Sequence, residues 1–286
     1  MVEWVDLRAV TRPEGVLRVL GVALSCVSFS LVASVGWSSS PYWAWCMFSW
    51  CLCCLLTLLI LLLELSRLSQ RLPISWDDFT SAFATLAALM LLAASVIYPS
   101  VMFSCPACAR QVAASVTSWL SVAPYVAEAV LACRRPVGQH SGFLSTAPGL
   151  LKILETFVAC VIFTALDVGR HAAHAALRWC VAAYALCFIA ALLIIILAVT
   201  RLSPRLPFDL LVCTCNLLAL CAYLSAAVLW PLYAFRNHPR PSPCSANACL
   251  AWDSLVVVSF MTAINLLIYV LDSAYSIRLV VMSRRT

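Results

Sequence analysis

Gly15-Val16-Leu17-Arg18-Val19-Leu20, followed by Cys26 and Phe29, recurs 134 positions later as Gly149-Leu150-Leu151-Lys152-Ile153-Leu154, followed by Cys160 and Phe163. The same offset carries Trp45-Cys46 onto Trp179-Cys180 and Cys53 onto Cys187. It also carries Arg67-Leu68-Ser69-Gln70-Arg71-Leu72-Pro73 onto Arg201-Leu202-Ser203-Pro204-Arg205-Leu206-Pro207. A self-match sustained over such a length marks a duplicated unit, so matched residues should occupy equivalent environments in the fold.

Composition sets the solvent around that unit. Of 286 residues, 64% are hydrophobic and 10% charged, and the mean hydropathy is +1.00. A soluble domain is nearer half apolar and a quarter charged, so a water-soluble fold would lack a surface. A helix needs about 20 apolar residues to cross a hydrocarbon core. The charged and Pro-containing breaks leave eight such stretches: 16–35, 43–65, 79–103, 112–133, 148–168, 178–200, 208–232 and 254–277. All are expected to be helical, because lipid offers no partner to an exposed N–H or C=O. The predicted fold is an all-α membrane protein of eight transmembrane helices in two tandem four-helix bundles.

The basic residues orient the chain. With the N-terminus inside, the inner segments hold Arg8, Arg12, Arg18, Arg67, Arg71, Arg134, Arg135, Lys152, Arg201, Arg205, Arg278, Arg284 and Arg285, 13 of the 18 Lys and Arg. The outer segments hold Arg110, Arg170, Arg178, Arg236 and Arg240. That asymmetry predicts cytosolic termini. An even number of spans per unit makes this a parallel repeat, unlike the inverted repeats of many transporters. The net charge of +6 is accordingly read as topological and not as a nucleic-acid footprint. The first span resembles a signal peptide, but its repeat partner lies mid-chain, where no signal peptidase acts, so it is expected to be retained.

The chain divides into a cytosolic segment 1–14, a first domain 15–135, a linker 136–147, a second domain 148–280 and a tail 281–286. The linker contains Pro136, Gly138 and Gly142, residues that break regular structure. Residues 233–253 are read as the longest outer loop and the best exposed contact surface, because Pro239, Pro241 and Pro243 cannot continue a flanking helix.

Cys105 and Cys108 fall in the outer loop of the first unit, and Cys244 and Cys249 in that of the second. Each pair is a candidate disulfide on the oxidising side of the membrane. Cys105-Pro106-Ala107-Cys108 also fits a redox or metal Cys-x-x-Cys; the disulfide is favoured because each unit has its own pair and no further ligand lies nearby. Most other cysteines fall within spans and read as small hydrophobes. Cys133, beside Arg134 at the cytosolic edge, is a candidate palmitoylation site.

The sharpest local signal is a pair of intramembrane acids. Aligned at offset 144, Tyr125-Val126-Ala127-Glu128 matches Tyr269-Val270-Leu271-Asp272. Ser121, Tyr125 and Glu128, like Asn265, Tyr269 and Asp272, fall at i, i+4 and i+7 and share one helix face. An isolated acid at such depth costs about 2.5–3.5 kcal/mol on insertion scales, so a partner is required. Arg18 and Lys152 occupy equivalent places at similar depth and are expected to pair with Glu128 and Asp272 within their own bundles. Glu155 is placed in the same cluster, and Glu64 at the interface, its charge snorkelling outward. A proton or ion relay is the functional reading and a structural clamp the other; the clamp is favoured because the outer halves of these helices are apolar.

No P-loop, dinucleotide-binding glycine fingerprint, His-Glu-x-x-His or Gly-x-Ser-x-Gly occurs. His171 and His174 have metal-compatible spacing but lack a third ligand. Neither an enzyme nor a cofactor is expected.

The four-span unit, the outer cysteine pairs, the Arg-Leu-x-x-Arg-Leu-Pro turn, Tyr98-Pro99 and Trp230-Pro231 closing the third span of each unit, and Trp252-Asp253-Ser254 before the last span resemble the myeloid-associated differentiation marker family. Its members carry two MARVEL domains in tandem, and the compact length is similar to the like-protein 2 branch. The resemblance implies a non-enzymatic plasma-membrane protein of cholesterol-rich domains. It also implies roles in membrane apposition, vesicle traffic and the organisation of other proteins, with membrane lipid and other membrane proteins as partners. The alternative is a small-solute or proton-coupled carrier using Glu128 and Asp272.

Overall fold

The computed structural model describes residues 8–38, 40–101, 109–134, 143–166, 174–200, 207–237 and 246–283. Among them there is no strand, and eight helices are long and apolar enough to cross a membrane. They are α1 (Pro13–Val35), α2 (Pro41–Leu65), α3 (Trp76–Val101), α4 (Ala109–Cys133), α5 (Ala147–Ala165), α6 (Ala175–Val199), α7 (Phe208–Asn237) and α8 (Ala246–Ser283). A single helical turn, Arg8–Thr11, precedes α1. Pro13 and Pro41 stand in the first turns of α1 and α2, where a missing N–H costs nothing and the fixed φ suits the helix.

The chain splits into two compact units, 1–146 and 147–286. In each, every helix packs on its sequence neighbours, and the first also meets the fourth. This closed up-down-up-down ring is the topology that short connections favour. Small residues line the contacts. Gly21 lies 3.0 Å, measured from where its Cβ would be, from the Tyr125 ring of α4, and Ser25, Ala84, Ala88 and Ala226 are buried. Close approach of helix backbones in lipid relies on such residues.

The end of the inter-unit segment is fastened to the first unit. Phe143–Ser145 forms a single 3-10 turn, Leu144 is fully buried, and its N–H donates to Asp78 Oδ1 at 2.8 Å. Ser75 Oγ donates to the other oxygen of Asp78 at 2.8 Å, so one carboxylate orders both the start of α3 and the chain leaving α4.

One expectation about the second unit needs correction. α7 continues to Asn237, and α8 begins at Ala246, so residues 233–237 and 246–253, read from the sequence as outer loop, are helical. Pro239, Pro241 and Pro243 lie outside the described residues. Downstream, Ala246, Ala248, Leu250 and Ala251 are strong helix formers that start α8 early. At its other end α8 runs to Ser283.

Candidate functional site: two buried ion clusters

In the first unit the cluster is assembled from all four helices. Arg18, one and a half turns into α1, is 4% exposed. Its Nε donates to Glu128 Oε1 of α4 at 2.7 Å, and its Nη1 donates to Glu64 Oε2 of α2 at 2.5 Å. The indole Nε1 of Trp76, the first residue of α3, donates to Glu64 Oε1 at 2.7 Å. A planar guanidinium can serve two carboxylates at once, which a compact ammonium does less readily.

The second unit places Lys152 and Glu155 on α5 and Asp272 on α8. Lys152 Nζ lies 2.6 Å from Glu155 Oε2 and 2.8 Å from Asp272 Oδ2. It also donates to Asn216 Oδ1 of α7 and sits 5.1 Å from the centroid of the Tyr269 ring, within cation–π range. Asn216 Nδ2 in turn donates to Ser276 Oγ at 2.8 Å. Exposure is 1% for Lys152 and 0% for Glu155 and Asp272.

Glu64 lies in the last turn of α2, its side chain 19% exposed, and what the sequence reading did not foresee is that it also binds Arg18 and Trp76. The sequence reading missed Trp76, Asn216 and Ser276. Asn216 carried a usable signal, since it interrupts the apolar run of α7 and a buried amide demands partners. Ser121 and Asn265, from the polar stripes, are both fully buried. Asn265 Nδ2 donates to the Glu155 carbonyl at 3.5 Å, whereas Ser121 Oγ turns back onto its own helix, donating to the Ser118 carbonyl at 2.6 Å.

Beyond each ion cluster the bundle is closed by a Trp–Tyr pair with exchanged positions. Trp50 on α2 meets Tyr98 on α3 at 5.6 Å between ring centroids; at the repeat-equivalent places Tyr184 on α6 meets Trp230 on α7 at 6.2 Å. Each α2 or α6 ring also bonds to the fourth helix. Trp50 Nε1 donates to Ser118 Oγ at 3.0 Å, and the Tyr184 hydroxyl lies 2.8 Å from Thr262 Oγ1. All four rings are 0–2% exposed.

Cys249 is disulfide-bonded, while Cys105, Cys108 and Cys244 lie outside the described residues. Cys133 is exposed at the end of α4. His171 is likewise outside them, and His174 packs 5.9 Å from the Tyr233 ring.

A family model described as "MARVEL: Membrane-associating domain" matches residues 9–131 and 143–275, one match for each bundle. The chain belongs to the MARVEL family. It is similar to the myeloid-associated differentiation marker of Homo sapiens, 43% identical over 96% of this chain and 90% of that one. The Homo sapiens myeloid-associated differentiation marker-like protein 2 is 41% identical over 96% and 94%. The Xenopus laevis myeloid-associated differentiation marker homolog is 40% identical over 94% and 93%. Among solved structures none matches. The chain is thus a tandem-MARVEL, multi-pass membrane protein, and each MARVEL unit carries one of the ion clusters described above.

Proposed function

We propose that this tandem-MARVEL protein is a non-enzymatic organiser of cholesterol-rich membrane domains, acting in membrane apposition or traffic through lipid and helix contacts. It would reside in the plasma membrane with both termini in the cytosol. One observation carries this reading: the buried charged groups inside the spans are gathered into one cluster at one end of each bundle, while the outward faces are apolar. Leu55, Leu186, Leu218, Phe260 and Leu267 are each more than 60% exposed, a surface suited to acyl chains, sterols and the spans of other membrane proteins. Beyond each cluster the Trp–Tyr pair fills the bundle, which favours a clamp over a crossing path for ions. On this reading the partners are membrane lipid and other membrane proteins, with no role for nucleic acid or a cofactor.

The test is reconstitution. In giant vesicles that separate into ordered and disordered phases, the labelled protein is expected in the cholesterol-rich phase. In proton- or solute-loaded liposomes it is expected to produce no flux. Flux abolished by Glu128→Gln or Asp272→Asn in folded protein would instead establish a carrier. Acylation at Cys133 fits the same reading, since its thiol is exposed at the end of α4; an acyl-exchange assay should lose signal in Cys133→Ser.

A further inference from the structure

We infer that the second MARVEL unit holds one resident proton, bound between Glu155 and Asp272, so that its buried cluster is neutral.

Two carboxylates and one ammonium meet there, a formal charge of −1, and none of the three is more than 1% exposed. Lys152 has three N–H donors, and three acceptors surround it: Glu155 Oε2, Asp272 Oδ2 and Asn216 Oδ1. The hydrogen bonds of the ammonium go to Glu155 Oε2 and Asn216 Oδ1, while Asp272 Oδ2 is held at 2.8 Å as an ion pair without hydrogen-bond geometry. Glu155 Oε1 and both oxygens of Asp272 have no hydrogen-bond donor, nor does fully buried Asn265 Oδ1 have one. A surplus carboxylate charge in such a site is far costlier than a carboxylic acid. One proton from bulk water forms an O–H bond on either carboxyl, removes the surplus charge and supplies the missing donor. The neighbouring carboxylate oxygen or Asn265 Oδ1 accepts it.

The groups facing this site come from every helix of the unit. They are Lys152 and Glu155 on α5, Cys187 on α6, Tyr223 on α7, and Tyr269 and Asp272 on α8. The only cation in that set is Lys152. Two carboxylates without a third anionic ligand make a poor cage for a divalent ion, and among the described residues no group of three His, Cys, Asp or Glu is placed to hold one.

The first unit supplies the internal control. It too has more acid than base, with Glu64 and Glu14 beside the Arg18–Glu128 pair, but the second acid bound to Arg18 is Glu64, whose side chain is 19% exposed and reaches solvent that screens its charge. The position equivalent to Glu155 there is Gly21, against which the Tyr125 ring is packed. The two units thus solve the same charge problem differently.

The proposal does not depend on the organiser reading, and its test reads protonation alone. Infrared difference spectra of the full chain in nanodiscs at neutral pH should show the carbonyl stretch of a protonated carboxylic acid. Carboxyl-13C glutamate or carboxyl-13C aspartate should shift it, without any substitution. The band should vanish in Glu155→Gln and in Asp272→Asn, each of which leaves a single carboxylate for Lys152. It should persist in Glu128→Gln and Asp78→Asn, the controls for the other buried acids. Absence of the band from wild-type protein, its loss in either control, or its persistence in either Glu155→Gln or Asp272→Asn would overturn the proposal.

Discussion

At the residue scale, the position shared by Gly21 and Glu155 separates the two halves of an otherwise matched sequence. In α1 it must lack a side chain, since a Cβ would meet the Tyr125 ring at 3.0 Å; in α5 it supplies a carboxylate to Lys152. Gly21→Ala should lower stability by about 1–3 kcal/mol through overpacking, read from denaturation in a defined detergent mixture. Arg18→Met should cost more, about 3–5 kcal/mol, because it strands Glu128 in a buried site. Adding Glu128→Met to that variant should recover part of the loss in the same measurement. The pairing partners of Arg18 and Lys152 were legible because repeat alignment put acid and base at one depth. The partners of Glu64 were not, because its side chain is near enough to the helix end for sequence alone to leave it at the interface. There the donors of Arg18 and Trp76 hold it, although part of it still meets solvent.

At the scale of elements, the Trp–Tyr pairs conserve summed volume while exchanging which helix bears the larger ring. Trp50→Tyr alone leaves a void beside Tyr98, and Tyr98→Trp alone crowds Trp50, each costing on the order of 1–3 kcal/mol. The double exchange reproduces the arrangement of the second unit and should cost less than the sum of the two. A coupling of about 0.5–3 kcal/mol from a double-mutant cycle in thermal unfolding checks it. Helix number and spacing were readable from hydropathy, because lipid permits so few backbone solutions. The ends of α7 and α8 were not. Hydropathy reports where lipid stops, whereas a helix stops where its backbone loses partners, and the alanines around residue 246 extend helix beyond the apolar run.

At the scale of the whole molecule, the duplication dictates two units that each complete their own ring of helices and their own polar contacts. Fragments 1–146 and 147–286, divided where the units separate, should each insert and retain helical circular dichroism in nanodiscs. A fragment that unfolds alone would show that the units depend on each other. The same architecture predicts topology. In an otherwise cysteine-free chain, a cysteine at Ser69 should react with an impermeant maleimide only after the cytosolic face is opened, and one at Ser38 without that treatment. Repeat spacing made the architecture and family legible, since both are properties of long-range pattern. The identity of lipid and protein neighbours leaves no such pattern in an apolar surface.

The location of the second acid in each cluster bears on how the halves enter the bilayer during synthesis. Lys152 and Glu155 lie three residues apart on α5, so that span can leave the translocon with its charges already matched. Arg18 has Glu14 four residues earlier on α1, but its buried ion pairs are made with Glu64 on α2 and Glu128 on α4. The first two spans therefore gain by partitioning together as a hairpin, whereas the fifth can be released singly, and the duplicated halves differ in their order of assembly as well as in their finished contacts.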